Sequence, residues 1–133
     1  MRITGLYAAI AALLILILAV RVSLGRRSSK IGLGDGGDTF LARRIRVHGN
    51  AVEYVPLALV LLLVLELNQT QPVLLHVFGC ILIAGRLIHA FGLSSASGVS
   101  AGRAIGSALT WLDIAAMALL LIWQTLGTWI IAH

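Results

Sequence analysis

Four long apolar segments, separated by short polar connections, constrain this chain more than any other feature of its sequence. The first of them, from Leu6 to Val20, contains no charged residue. A helix needs about 20 mainly apolar residues to cross a bilayer, and each segment reaches that length when its flanks are included. We therefore predict an all-α integral membrane protein that forms one four-helix bundle over residues 1–133. The predicted helices cover about residues 4–24, 41–68, 72–92 and 103–132.

The composition agrees with a membrane location. Hydrophobic residues make up 59% of the 133 residues and charged residues only 11%, whereas about a quarter of the residues in a soluble domain are charged. The formal net charge of +5 does not indicate nucleic-acid binding, because the basic residues lie near the ends of the apolar segments rather than on a soluble basic face.

The first connection contains a glycine-rich stretch, residues 32–38, whose composition is similar to that of a phosphate-binding or calcium-binding loop. No Gly-Lys-Ser/Thr sequence follows it, and Asp35 and Asp38 supply too few oxygen ligands for calcium. We expect no metal site here. The stretch predicts a turn, with Asp38 or Thr39 capping the next helix.

The basic residues are distributed unevenly between the two ends of the segments. Nine of the ten Lys and Arg residues flank the first and third connections, and only Arg2 lies on the opposite side. Because basic residues accumulate on the cytoplasmic side of a membrane, we predict that both termini are periplasmic. The polar residues described below would then lie on the cytoplasmic side.

The second segment begins with a dense polar stretch, from Arg43 to Pro56, that continues into the apolar run. At 100° per residue, five polar side chains fall within about a third of the helix circumference. They are Arg43, Arg46, Asn50, Glu53 and Tyr54. A charged residue at the centre of a spanning helix costs about 2.5–3.5 kcal/mol, so Glu53 requires a partner. Arg46 and Arg43 are the nearest candidates.

Polar residues also lie near the corresponding ends of the third and fourth segments. Arg86 and His89 share a helix face, and Arg103 stands at the start of the fourth segment. The predicted topology brings these residues to the depth of the second-segment cluster. Asp113 lies further along the fourth helix, and we expect it to pair with an arginine or a backbone donor. Four glycines are expected to permit close helix contacts: Gly79, Gly85, Gly102 and Gly106.

The simplest interpretation of the arginines is that they anchor helix ends in the headgroup layer. This accounts for one group of basic residues: Arg21, Arg26, Arg27, Lys30 and Arg44. It does not account for Asn50 and Glu53, which lie one and two turns deeper than Arg46. The pattern instead favours an anionic small molecule held between helices, with guanidiniums binding carboxylates and with Asn50 and Glu53 binding an amide and an ammonium.

The pattern Arg43-x-x-Arg46-x-His48-x-Asn50-x-x-Glu53, followed by Pro56, resembles the second-helix signature of the MAPEG family. These are the membrane-associated proteins in eicosanoid and glutathione metabolism. Gly85-Arg86-x-x-His89 is similar to the third-helix motif of that family. The resemblance covers essentially the whole chain and is strongest to a bacterial branch found in the inner membrane.

The resemblance implies a homotrimer that binds glutathione, as co-substrate or ligand, between neighbouring protomers. It implies a glutathione S-transferase or peroxidase that acts on lipophilic small molecules from the bilayer. The glutathione-binding residues would be Arg43, Arg46, Asn50, Glu53, Tyr54, Arg86 and His89. Arg103 would be the catalytic residue beside the glutathione sulfur. Several catalytic members carry a tyrosine one turn after that arginine, where this chain has Ser107.

Two other functions fit the same residues. The protein could be a non-catalytic membrane protein that binds an anionic ligand or a lipid, in which case the arginines hold the ligand without activating it. It could also be an anion transporter, since a site rich in arginine repels cations and attracts anions.

Overall fold

A computed structural model describes the backbone of residues 2–95 and 101–132, and the side chains of residues 2–92 and 101–127. The four predicted spans are confirmed as α-helices, and each is long and apolar enough to cross a membrane. In chain order they are α1 (Arg2–Ser29), α2 (Thr39–Leu67), α3 (Pro72–Ser95) and α4 (Ala101–Ala132).

Two helices extend beyond the predicted ends. The predicted first helix ends at residue 24, whereas α1 continues to Ser29, because Arg26 and Arg27 suit the negative end of the helix dipole. The predicted third helix ends at residue 92, whereas α3 continues to Ser95. The centre of the predicted connection that follows, residues 96–100, lies outside the described residues.

Of the two predicted caps of α2, Asp38 and Thr39, it is Asp38 that caps the N-terminus. Its Oδ1 atom accepts hydrogen bonds from the backbone N–H groups of Phe40 (2.9 Å) and Leu41 (3.2 Å), and the Ser29 hydroxyl donates to its Oδ2 atom at 2.8 Å. The Ser29 hydrogen bond is the largest cause that lowers the pKa of Asp38, followed by the Leu41 hydrogen bond. The carboxylate therefore fixes both the start of α2 and the end of α1.

Hydrogen bonds at both ends of the first two helices establish that they are antiparallel. At one end the Glu66 carboxylate accepts from the backbone N–H groups of Ile3 and Thr4, at 3.2 and 2.9 Å. At the other end Arg44 Nη1 donates to the Arg21 carbonyl at 3.5 Å. Both α2 and α3 contact three helices, whereas α1 and α4 do not contact each other within the described ranges.

This arrangement gathers most of the arginines at one end of the bundle. There α1 and α3 finish and α2 and α4 begin, and we call it the basic end. The larger apolar core lies toward the opposite end and comprises Tyr7, Ala58, Leu62, Leu65, Leu75, Phe78, Leu82 and Met117. A smaller cluster of buried residues below the basic end comprises Leu18, Val47, Ala51 and Ala90.

Tyr7 connects α1 to α3 in the core. Its ring occupies the space left by the absent side chain of Gly79, and its hydroxyl donates to the His76 carbonyl at 3.1 Å. The same hydroxyl lies 3.0 Å from His76 Nδ1 and 3.2 Å from Cys80 Sγ. Gly79 therefore permits the close helix contact that the sequence predicts.

Close backbone approach between α3 and α4 depends on the other three glycines. A Cβ atom on Gly106 would lie 2.5 Å from the His89 nitrogen and 2.6 Å from the Gly85 carbonyl oxygen. A Cβ atom on Gly102 would lie 3.0 Å from the Gly92 Cα atom. The predicted close contacts are confirmed, and they set the distance between the helices that carry Arg86, His89 and Arg103.

Replacement of Gly106 tests this packing. We expect Gly106→Ala to lower the free energy of unfolding by about 1–3 kcal/mol, because the methyl group meets backbone atoms that move only if α3 and α4 separate. Thermal unfolding of the purified protein in detergent measures the change. The matched control is Gly127→Ala in the same helix, where a Cβ atom meets nothing within 4 Å. Equal stability of the two variants would contradict the packing described here.

Candidate ligand-binding site

The polar face of α2 divides into an exposed side and a buried side. The side chains of Arg46 and Glu53 are 69% and 51% exposed, and Arg46 Nη1 lies 3.6 Å from Glu53 Oε1. Asn50 is buried and Tyr54 is half-buried. Of the two predicted partners of Glu53, Arg46 is therefore the one that forms the ion pair. The two charged side chains lie on the outside of the single chain, whereas Asn50 and Tyr54 point toward the other helices.

The depth of the Arg46–Glu53 pair follows from the length of α2. Glu53 is the middle residue of the 29-residue helix Thr39–Leu67. Every stretch of about 20 residues that could cross the bilayer within this helix includes Glu53. Glu53 therefore lies on the outside of the single chain within the membrane-spanning part of α2, and Arg46 lies two turns nearer the basic end.

Arg86 is the polar centre of the bundle. Its side chain is only 3% exposed, and Nη1 donates to Asn50 Oδ1 while Nη2 donates to the Gly106 carbonyl at 3.0 Å. The guanidinium carbon lies 5.9 Å from the centre of the Tyr54 ring. One side chain of α3 thereby bonds to both α2 and α4. In the described part of the chain its Nε atom has no hydrogen-bond partner.

His89 lies one turn after Arg86 and is also buried. The start of α4 packs closely against this part of α3, since a Cβ atom on Gly92 would lie 2.5 Å from the Arg103 nitrogen. Arg103 is half-buried in the first turn of α4. The structure therefore brings residues from three helices into one positively charged region, as the predicted topology requires.

Arg43 lies apart from this group. Its guanidinium carbon is 5.4 Å from the centre of the Phe40 ring, and it lines a cavity of about 130 Å³ with Arg21 and Arg44, between α1 and α2. A direct role for Arg43 beside Arg46 and Glu53 stays a prediction.

A larger cavity adjoins Arg46 on the side of the first connection. It has a volume of about 320 Å³, and its lining includes Arg26, Asp35 and Ile45. Arg26 is held there by a hydrogen bond from Nη1 to the Gly32 carbonyl at 2.9 Å. From the sequence, Arg26 was assigned only to membrane anchoring and Asp35 only to the turn. Their position could not be read from spacing, because it depends on how the first connection folds over α2.

The predicted pairing of Asp113 is wrong within the described residues. The side chain is 3% exposed, yet neither carboxylate oxygen has a hydrogen-bond partner among them. Thr110, one turn earlier and equally buried, donates its hydroxyl to the Gly106 carbonyl at 3.0 Å. Asp113 therefore faces the packed interior of the bundle and is separate from the arginines at the basic end.

The chemistry of the basic end suits an anion that also carries an amino group. Arg46, Arg86 and Arg103 supply three permanent positive charges, whereas Glu53 supplies one carboxylate. Guanidiniums form paired hydrogen bonds with carboxylates, and the Glu53 carboxylate accepts from an ammonium. An amphoteric ligand with excess negative charge would match this set of groups.

Comparisons with known proteins agree with the resemblance in the sequence. The model of the MAPEG family matches residues 4–123. The inner membrane protein YecN of Escherichia coli K12 is 37% identical over 121 residues, which cover 91% of this chain and 91% of that protein. YecN of Escherichia coli O6:H1 matches with the same identity and coverage.

A double-mutant cycle tests whether Asn50 and Arg86 act as a unit. We expect Asn50→Ala to lower the free energy of unfolding by about 1–3 kcal/mol, because it leaves a buried guanidinium with one acceptor fewer. In an Arg86→Met background the same substitution should cost at least about 1 kcal/mol less. Thermal unfolding of the four proteins in detergent provides the comparison. Additive losses would show that the two side chains do not depend on each other.

Proposed function

This chain belongs to the MAPEG family of membrane proteins, and on that premise we propose that it binds glutathione, or a similar anionic thiol, at the basic end of the bundle. The observation that carries the proposal is the Arg46–Glu53 pair, which lies on the outside of the single chain although Glu53 is the middle residue of a spanning helix. Charged groups at that depth normally face protein or a water-filled cavity rather than lipid.

We propose that a second copy of the chain covers this pair and that the assembly is a homotrimer. Closed cyclic assemblies are the common form of homo-oligomers, and an interface around Arg46 and Glu53 would shield the Glu53 carboxylate from lipid. A ligand held between two copies would also bring an amine and carboxylates to these two side chains. Binding and assembly are therefore parts of one proposal.

The proposed roles follow from the contacts of each residue. Arg46 binds a ligand carboxylate and Glu53 binds the ligand ammonium. Asn50 offers its amide N–H groups to the ligand, while its carbonyl oxygen is held by Arg86. Arg86 is buried and acts through Asn50. Tyr54 and His89 complete the proposed glutathione contacts from α2 and α3.

Arg103 is the proposed activating residue. A thiol with an ordinary pKa of about 8.5 is only a few per cent ionised at pH 7. A guanidinium within hydrogen-bond reach that lowers the thiol pKa by about two makes thiolate the major form. The thiolate would then attack a lipophilic electrophile or hydroperoxide that enters from the bilayer, which is glutathione S-transferase or peroxidase chemistry.

The alternative function is binding of the anionic ligand without turnover. It is favoured by Ser107, which is half-buried one turn after Arg103 and offers a hydroxyl that is far less acidic than the phenol of tyrosine. Anion transport remains a further alternative, and uptake of a labelled anion by liposomes would reveal it. In each case we propose a bacterial inner membrane location, with periplasmic termini and a cytoplasmic binding site.

Binding is tested by calorimetric titration of glutathione into the purified protein in detergent. We expect saturable binding that Arg46→Gln and Glu53→Gln each weaken by about 10- to 100-fold, the effect of losing one hydrogen bond to a charged group. Arg27→Gln is the matched control, because Arg27 is exposed at the end of α1. Equal binding by all four proteins, or by none, would contradict the proposal.

Thiol activation is tested separately by ultraviolet difference absorbance during the same titration. We expect a thiolate signal at pH 7 in the natural protein, and we expect Arg103→Gln to lose the signal while it still binds glutathione. Binding without any thiolate signal in the natural protein would favour the ligand-holding alternative. If Arg103→Gln lost the thiolate signal only to the extent that it lost glutathione binding, this would contradict an activating role for Arg103.

A further inference from the structure

The small cavity between α1 and the first turn of α2 is separate from the proposed glutathione site. Its volume is about 130 Å³, and its lining residues are Arg21, Phe40, Arg43 and Arg44. Guanidinium groups stay charged under all physiological conditions. Three positive charges therefore converge on one cavity that no carboxylate lines.

The carboxylate nearest in sequence, Asp38, attracts Arg44 but offsets at most one of the three positive charges. Asp38 uses its oxygens to cap α2 and to accept from Ser29. Within the ranges that the structure describes, no Asp or Glu side chain forms an ion pair with Arg21, Arg43 or Arg44. The three guanidiniums therefore keep an excess of positive charge, which attracts an external anion.

Specific contacts hold the arginine side chains around the cavity. Gly25 leaves space for Arg44, since a Cβ atom on Gly25 would lie 2.9 Å from Arg44 Nη1. The same Nη1 atom donates to the Arg21 carbonyl across the α1–α2 interface at 3.5 Å. Arg43 lies over the Phe40 ring. These contacts direct Arg43 and Arg44 toward the cavity, although Arg21 and Arg44 are exposed to the surroundings.

The surroundings of the cavity indicate a ligand with an anionic head and an apolar tail. Phe40 is 70% exposed at the first turn of α2, near the end of a membrane-spanning helix. A narrow cleft shares Arg21 and Arg44 with the cavity and continues between Leu18 and Val47, which are buried and apolar. A free anion would contact the guanidiniums but would leave the exposed Phe40 ring uncovered.

We infer that this cavity binds the headgroup of an anionic phospholipid, with the phosphodiester oxygens on Arg21, Arg43 and Arg44. Guanidiniums match phosphate oxygens through paired hydrogen bonds. Basic pockets between transmembrane helices bind headgroups with several negative charges. Three guanidiniums exceed the charge of one phosphodiester, so the preferred lipid is a diphosphatidyl lipid with two. The inference does not depend on glutathione binding.

Native mass spectrometry of the purified full-length protein tests the inference. The protein is released from mixed micelles that contain cardiolipin, phosphatidylglycerol and phosphatidylcholine. We expect the released protein to retain cardiolipin in preference to phosphatidylglycerol and phosphatidylcholine. Each arginine at an anionic headgroup increases the binding affinity by a factor of about five. The double variant Arg21→Gln/Arg44→Gln should therefore bind cardiolipin about 25-fold more weakly. If the double variant does not fold, the single variants Arg21→Gln and Arg44→Gln provide the test, each with a loss of about fivefold.

The matched control is Arg27→Gln/Lys30→Gln, which removes the same charge from exposed positions at the end of the first helix. It should retain cardiolipin to within about twofold. Equal loss in both double variants would overturn the inference, because it would indicate unspecific attraction to charge. Complete displacement of cardiolipin by inorganic phosphate at millimolar concentration would also overturn it, since the site would then recognise a soluble anion. Glutathione titration of the same variants shows independently whether the other site is intact.

Discussion

The guanidinium of Arg86 is the interaction on which the arrangement of the bundle depends. It bonds α3 to the Asn50 side chain of α2 and to the Gly106 carbonyl of α4, in a region that excludes solvent. A buried guanidinium is tolerated only when its N–H groups find acceptors, and these acceptors exist because glycines let α3 approach α4 closely. The same bonds orient Asn50 on α2 and set the position of His89. Packing and the candidate site therefore share one set of contacts.

The Arg46–Glu53 pair is the observation that the proposed assembly explains. Both side chains are exposed on the single chain, Glu53 lies at the middle of a spanning helix, and a partly exposed ion pair in water contributes little stability. In a membrane the cost of leaving it uncovered is larger. A second copy and an amphoteric ligand would both reduce that cost. The proposed homotrimer and the proposed ligand therefore explain the same observation.

The sequence predicted the four helices, the family, a cap at Asp38 or Thr39 and a pairing of Glu53 with Arg46 or Arg43, because these depend on local periodicity and on short spacings. It did not predict that Arg86 bonds to a backbone carbonyl, since that acceptor appears only when α3 and α4 are in contact. It also placed the α2 polar residues on one face without showing that the face is half-buried. Asp113 was expected to find a partner, and its position in the packed interior reflects tertiary contacts that spacing does not encode.

The most direct test of the central claim is an experimental structure of the purified protein with glutathione present. The account predicts that Arg46 and Glu53 lie at an interface between copies of the chain, with glutathione carboxylate and ammonium groups against them and with Arg86 bonded to Asn50. A structure in which this pair faces lipid, or in which glutathione binds away from the basic end, would contradict the account.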